Sequence, residues 1–334
     1  MNCTECIDKE IADSLKEKKK GSTPPIPVLP ILAAELANGL PTGDTSIKAF
    51  LLRLKERTQR IYNYKKHSCP DLQIEVPKNF NNPNGQWSEA LFLITIWNLL
   101  ADYNKKHPNE QLICINIPDR TNYENEWTTL LDKKCLISYK NFNLDSSNPI
   151  VASSDHKELI LRSSNPDSIV LKLDKSVIKS LKLPFKPTEK ISSISCNQLE
   201  EFLNIFSSLK NKITPSKNLI AILTEKNSLR SDRRYQFVHE GDNIKSILMY
   251  LYIMKSDKGL TTKFFNNRFY AIVFDTITNE DKKIEDIAMS ACVSSPIMEP
   301  VWAIDKIYSC LTFSDIESTF KEILCKSTSN NISL

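Results

Sequence analysis

Residues 224–241 read Thr-Glu-Lys-Asn-Ser-Leu-Arg-Ser-Asp-Arg-Arg-Tyr-Gln-Phe-Val-His-Glu-Gly and follow an apolar run at 219–223. That run has the length and composition of a buried β-strand, so Lys226 is predicted to lie where the strand ends. Apolar residues then recur at helical spacing between Val238 and Leu251, which predicts a helix with Glu240 near its start. The stretch therefore joins a strand, a charged loop and a helix.

The loop in this stretch carries charges of both signs. Arg230, Asp232, Arg233 and Arg234 lie close together within residues 228–234, which we call the reading segment. Arginine presents a planar fork that can bind both major-groove acceptors of guanine, and a carboxylate can accept from the amino group of cytosine. The segment could therefore read neighbouring G and C, although a surface ion-pair network is the simpler alternative.

A second predicted strand, at 168–173, is preceded by the acidic residue Asp167 in the sequence Ser-Asn-Pro-Asp. An aspartate before one strand and a lysine at the end of another is typical of metal-dependent nucleases. In these enzymes the carboxylate binds Mg²⁺, and the lysine assists the attacking water or the charge that develops on the phosphate. A Pro-Asp pair alone indicates only a turn.

Together these residues resemble the type II restriction endonucleases that recognise a CCGG core, a branch of the PD-(D/E)XK nuclease superfamily. The matching segments are 164–167, 226–234 and 236–241, and weaker similarity extends over about residues 39 to 325. The resemblance implies an α/β fold in which a central mixed β-sheet is flanked by helices.

The resemblance also assigns catalytic roles by position. Asp167 corresponds to the metal-binding aspartate and Lys226 to the catalytic lysine. Glu240 corresponds to an acidic metal ligand that the family carries on a helix, and Glu89 to a further acidic residue that completes the site. Without the resemblance, Glu89 would be interpreted as an exposed residue in the first turn of a helix, where the helix dipole favours it.

The reading segment is assigned in the same way. Arg230, Asp232 and Arg233 correspond to the family's base-reading residues. Ser228 and Arg234 are expected to contact phosphate or to hold the loop, which would position the DNA without specifying its sequence.

The sequence departs from the general superfamily motif two residues before the lysine, where an acidic residue is usual and Thr224 is found. Side chains alternate along a strand, so Thr224 and Lys226 share one face while Glu225 points to the other. We therefore expect Glu240, rather than Glu225, to supply the second carboxylate.

The activity implied by the resemblance is Mg²⁺-dependent hydrolysis of double-stranded DNA at a palindrome with a CCGG core. The first expectation for the full site is RCCGGY, cut before the first C to leave 5′ overhangs. A palindrome implies a two-fold symmetric homodimer, or a homotetramer of such dimers, and a cognate DNA methyltransferase is the expected functional companion. The alternatives are a DNA-binding protein without cleavage, a repair nuclease on the same fold, and an interaction protein with an ion-paired loop.

Composition sets broad limits on the function. The 334 residues are 41% hydrophobic, enough for a sizeable core, and the net charge of +4 is compatible with DNA binding without requiring it. The six glycines form no nucleotide-binding loop. Nine cysteines without a secretory signal favour a reduced, cytoplasmic setting, and no apolar stretch is long enough for a membrane span.

The chain is predicted to consist of an N-terminal arm, residues 1–38, and a restriction-endonuclease-like catalytic and DNA-binding domain, residues 39–334. The arm combines a lysine-rich run with several prolines, which favour extended backbone. Within the domain, apolar patterns predict helices at 45–63, 86–103, 301–311 and 316–324, and strands at 112–117 and 269–276.

Overall fold

The computed structural model describes residues 3–16, 23–70, 74–118, 126–142, 164–229, 231–253, 268–289 and 301–327. Within these ranges five strands form one mixed sheet in the order β1-β2-β3-β4-β5. The strands are β1 Glu110–Asn116, β2 Ser168–Asp174, β3 Leu219–Lys226, β4 Arg268–Val273 and β5 Lys306–Ser309. The first three strands are antiparallel neighbours, and β3, β4 and β5 run parallel.

Helices surround this sheet. In chain order they are α1 Cys3–Ser14, α2 Val28–Leu36, α3 Ile47–Ser68, α4 Asn81–Lys106, α5 Lys133–Phe142, α6 Lys175–Lys179, α7 Cys196–Leu203, α8 Ile205–Ser208, α9 Pro215–Asn218, α10 Ser231–Ile253, α11 Asn279–Lys282 and α12 Phe313–Ser327. Single turns of 3-10 helix span Trp127–Leu130 and Lys283–Asp286. None of the described helices is long and apolar enough to cross a membrane.

The long helix α4 forms the centre of the packing on its side of the sheet. It lies along β1 and also contacts α12, which packs in turn against β3. Trp87 and Trp97 of α4 are fully buried, and the Trp97 ring meets Phe202 edge to face with ring centroids 5.3 Å apart. Burial of such large rings is a major source of core stability. It holds α4 in place, and with it the residues near the N-terminal end of this helix.

The N-terminal helices pack onto α3 through a buried arginine. Arg57 of α3 is fully buried, and its guanidinium lies 2.7 Å from Asp8 Oδ1 of α1 and 3.1 Å from Glu35 Oε2 of α2. A buried charge needs such partners, because removing one of them leaves an uncompensated ion in the interior. This network therefore ties α1 and α2 to the rest of the described chain.

The predicted strands and most of the predicted helices are found, but the helix predicted at 301–311 is wrong. That segment instead holds β5, a four-residue strand that extends the sheet beside β4. Ile304, Ile307, Tyr308 and Leu311 happen to repeat at helical spacing, and a strand this short is too brief to show alternation.

Candidate active site

The edge of the sheet at which β2 begins and β3 ends brings together the residues that the sequence placed at strand ends. Ser168 pairs with Leu223 across these antiparallel strands, so Asp167, just before β2, lies beside the end of β3. Lys226 Nζ lies 3.0 Å from Asp167 Oδ2, and both side chains are only about one-fifth exposed, 18% for Lys226 and 22% for Asp167. The predicted juxtaposition of an aspartate and a lysine is therefore present.

Thr224 links Asp167 to the following helix. Its hydroxyl lies 3.0 Å from Asp167 Oδ2 and 2.9 Å from Glu240 Oε2. The backbone N–H of Glu225 also donates to Asp167 Oδ2, at 2.5 Å. A hydroxyl has a single hydrogen and can donate to one carboxylate at a time, so two acidic oxygens converge on one small polar group.

Glu240 lies on α10 and is buried, with 7% of its surface exposed. Its second oxygen, Oε1, accepts a hydrogen bond of 2.7 Å from Gln236, one turn earlier on the helix. Burial raises the pKa of Glu240, an effect that Lys226 opposes and the Asp167 carboxylate reinforces. Burial thus disfavours the ionised form of Glu240, and a cation close to the carboxylate would favour it.

Lys226 is surrounded by negative charge. Burial alone would lower the pKa of Lys226, but the carboxylates of Asp167, Glu240 and Glu89 outweigh it, and the pKa is raised. The side chain is thus held as an ammonium ion at the end of its strand.

Glu225 points to the other face of the strand, as alternation predicts. Its Oε1 accepts a hydrogen bond of 2.5 Å from Ser168, while Oε2 is buried with no hydrogen-bond partner among the described residues. Burial raises the pKa of Glu225 well above its usual value, and the nearby charges of Asp167 and Glu89 add to this. The arrangement favours a neutral carboxyl group, which is a poor ligand for a cation.

Glu89 approaches the site from the N-terminal part of α4. Its charge acts on both Lys226 and Glu225, which places it within electrostatic range of the strand end. The preceding residue, Ser88, has its hydroxyl in contact with the side-chain oxygen of Asn227, the residue after Lys226. The start of α4 is thereby attached to the end of β3.

The carboxylates of the site resemble the ligands of a divalent cation. Among the described residues, no three His, Cys, Asp or Glu side chains form a ready-made metal cluster. Mg²⁺, however, is usually held by one or two carboxylates, with water and substrate phosphate oxygens completing its shell. Asp167 and Glu240 supply two convergent carboxylates, so the residues present fit such an ion.

Part of the reading segment lies outside the described residues. Arg230 and the side chain of Asp232 are among the parts that the structure does not describe. Arg233 is partly buried, with its guanidinium 3.4 Å from the carbonyl oxygen of Ser228. Arg234 points elsewhere and forms an ion pair with Asp281. The roles of these residues in DNA binding remain predictions.

Several supporting residues were not predicted from the sequence. Gln236 lies four residues before Glu240 on a helix, and that spacing was the one available signal for their contact. Ser168 and Asn227 adjoin Asp167 and Lys226 in the chain, but their contacts with Glu225 and Ser88 are long-range and had no sequence signal. The same holds for the contact of Asp281 with Arg234.

Gly241, next to Glu240, allows α10 to lie very close to the segment before β5. A Cβ atom at this position would overlap the carbonyl oxygen of Ala303 and come within 3.1 Å of the Phe269 ring. We expect Gly241→Ala to destabilise the protein by about 1–3 kcal/mol, because α10 must shift to relieve the overlap. The free energy of unfolding, measured in urea, checks this result.

Gly85→Ala is the matched control within another helix. The nearest atom to a Cβ there is Glu89 Oε1 at 3.8 Å, an ordinary contact, so alanine should be neutral or stabilise by up to about 1 kcal/mol. A Gly241→Ala protein as stable as the wild type would show that α10 is not seated on Ala303.

Comparisons with known proteins relate this chain to restriction endonucleases. Residues 27–326 match the sequence model of a family described as Cfr10I/Bse634I restriction endonuclease. The chain is also similar to the type II restriction enzyme Cfr10I of Citrobacter freundii, with 24% identity over 258 residues that cover 74% of this chain and 78% of the relative.

Two solved structures share the fold. The Bse634I restriction endonuclease matches with a TM-score of 0.75 and 21% identity over 94% of this chain and 98% of that one. A structure of the type IIF restriction endonuclease Bse634I with cognate DNA matches with a TM-score of 0.70 and 21% identity, over 92% and 96% of the two chains. The predicted mixed sheet flanked by helices is confirmed.

Proposed function

The chain belongs to the Cfr10I/Bse634I restriction endonuclease family, and from that premise we propose that it cleaves double-stranded DNA at a palindrome with a CCGG core in a Mg²⁺-dependent reaction. The observation that carries the proposal is the convergence of Asp167, Lys226 and Glu240 at one edge of the sheet. The expected full site is RCCGGY, cut before the first C to leave 5′ overhangs.

The side chains at this edge of the sheet would have different roles in phosphodiester hydrolysis. Asp167 and Glu240 would hold Mg²⁺, with Glu89 directly or through water. When bound, the ion would supply charge neutralisation at the scissile phosphate and a more acidic water. The Thr224 hydroxyl lies within hydrogen-bond distance of both carboxylates and can donate to either of them.

Lys226 contributes a positive charge that does not depend on the metal. Its ammonium group, held beside Asp167, can orient the attacking water or stabilise the additional negative charge on the phosphate oxygens. The surrounding carboxylates raise the pKa of Lys226, which favours a role as a positive charge and a hydrogen-bond donor.

Base recognition is assigned to the reading segment, which begins two residues after Lys226. Arg230 and Arg233 would bind the guanines and Asp232 the cytosines, through the donor and acceptor pattern of the major groove. Ser228 lies at the start of this segment and is suited to a phosphate contact. The base-reading residues would thus lie only a few positions after the catalytic lysine in the sequence.

The assembly follows from the symmetry of the target. A palindrome cut on both strands needs one active site per strand, so we propose a homodimer, or a homotetramer of such dimers. A cytoplasmic location and a cognate DNA methyltransferase that protects the host's own sites belong to the same proposal.

Arg233→Ala tests the reading role of this segment. We expect a loss of about 1–3 kcal/mol in discrimination between a CCGG duplex and duplexes with one changed core base. Binding is measured with Ca²⁺ in place of Mg²⁺, so that the duplexes stay intact.

Arg268→Ala is the matched control, since Arg268 begins β4 and thus lies at the opposite edge of the sheet from Lys226. It should leave discrimination unchanged. Equal discrimination by Arg233→Ala and the wild type would remove Arg233 from the base-reading set.

A further inference from the structure

Arg234, at the end of the reading segment, has a partner that lies far away in sequence. Its Nε is 2.6 Å from Asp281 Oδ1, and the Asp281 side chain is only 5% exposed. The Arg234 side chain is about one-third exposed. An ion pair with one partner this deeply buried is screened by water far less than a surface pair.

Asp281 is itself held rigidly. Its other oxygen, Oδ2, accepts from the backbone N–H of Thr278 at 2.7 Å and from the Thr278 hydroxyl at 2.8 Å, in a capping box at the start of α11. Burial works against the charged form of Asp281, but the Thr278 hydrogen bonds and Arg234 outweigh it and lower its pKa. A fixed carboxylate therefore faces Arg234.

The segment that carries Asp281 is anchored beside the candidate active site. Phe274 donates its N–H to the carbonyl oxygen of Lys226 at 2.9 Å. The next residue, Asp275, accepts a hydrogen bond of 2.7 Å from the Ser309 hydroxyl through its carbonyl oxygen. Asp281 thus belongs to a segment that begins at Phe274, where the backbone is hydrogen-bonded to the last residue of β3.

The two neighbouring arginines of α10 differ in their partners. Both lie in the first turn of the helix, where the helix dipole disfavours positive charge. Asp281 neutralises Arg234, whereas Arg233 has no carboxylate within ion-pair distance in the part of the chain that the structure describes. The charge of Arg233 is thus available for DNA, and that of Arg234 is already compensated.

We propose that Asp281 is a positioning residue for base recognition, which holds Arg234 and so fixes the first turn of α10 in the orientation that presents the reading segment to the bases. Arg234 then acts as the anchor of the segment and makes no phosphate contact. This inference rests on the proposed function, because it concerns how the reading segment discriminates between sequences.

The test compares Asp281→Asn, Arg234→Gln and the double variant. Each is assayed for binding to a CCGG duplex and to one with a changed core base, with Ca²⁺ in place of Mg²⁺ and over a range of salt concentrations. We expect each single variant to lose about tenfold in discrimination, through weaker binding to the CCGG duplex, with unchanged salt dependence. The double variant should lose no more than either single one, because the two residues act as a pair.

Glu280→Gln is the matched control, since Glu280 lies on the same short helix and its ion pair with Lys283 is exposed on both sides. It should bind and discriminate as the wild type does. Thermal unfolding is measured for every variant, and binding is compared well below the lowest transition, so that a stability loss is separated from a recognition loss.

Two results would overturn the proposal while leaving the proposed function intact. In one, Asp281→Asn lowers only the melting temperature and discriminates like the wild type. In the other, Arg234→Gln weakens binding to all duplexes equally and reduces the salt slope by about one, as expected for a phosphate contact. If the wild type itself does not discriminate, the proposed function fails and this inference with it.

Discussion

Asp167→Ala should reduce the rate of DNA cleavage by on the order of 10³ or more, while the protein still binds its target sequence. Asp167 contacts Thr224, the backbone of residue 225 and Lys226, so its removal takes away one proposed metal ligand and the partner of the lysine together. The reading segment does not contact Asp167 in the described residues, so specific binding should persist. Single-turnover cleavage and equilibrium binding measure the two effects separately.

Asp174→Ala provides the control for this prediction. Asp174 is the last residue of β2, whereas Asp167 directly precedes that strand, so the two lie at opposite edges of the sheet. Asp174 forms a solvent-exposed ion pair with Lys217, and its loss should have little effect on cleavage. Mg²⁺-dependent cutting by Asp167→Ala at the wild-type rate would remove Asp167 from the active site.

Glu240→Gln should slow cleavage by about 10²–10³-fold, whereas Glu225→Gln should change the rate by less than about tenfold. Glu240 converges with Asp167 on Thr224, and glutamine there would remove a carboxylate from the proposed metal site. Glu225 is buried on the other face, where its neutral form is favoured, and glutamine has nearly the same shape as a neutral carboxyl group.

The Glu240→Gln and Glu225→Gln variants are compared by measuring the cleavage rate of each as a function of Mg²⁺ concentration. Glu240→Gln should need more Mg²⁺ for half-maximal rate, and Glu225→Gln should follow the wild-type curve. A larger defect in Glu225→Gln than in Glu240→Gln would show that the acidic residue next to the lysine is the functional one.

The strand alternation in β3 explains why this part of the site could be predicted. A run of apolar residues located the strand, and the period of two placed Thr224 and Lys226 on one face and Glu225 on the other. The position of Glu240 depended on the family resemblance, because a contact between a strand and the following helix has no local signature.

Long-range contacts account for what the sequence did not predict. Arg57 reads as one basic residue among several on α3, yet it is fully buried between two carboxylates from α1 and α2. Asp281 reads as a surface acid before two lysines, yet it is buried against Arg234. In both cases the partner is distant in the chain, and composition does not distinguish a buried ion pair from a solvated one.

The most direct test of the central proposal is to incubate the protein with Mg²⁺ and a plasmid that carries CCGG in many flanking contexts, and then to sequence the ends. We expect Mg²⁺-dependent cutting with uniform ends before the first C of CCGG, and the cut sites would also identify the flanking bases. Ends scattered over unrelated sequences, or no cutting although the protein is folded, would contradict the proposal.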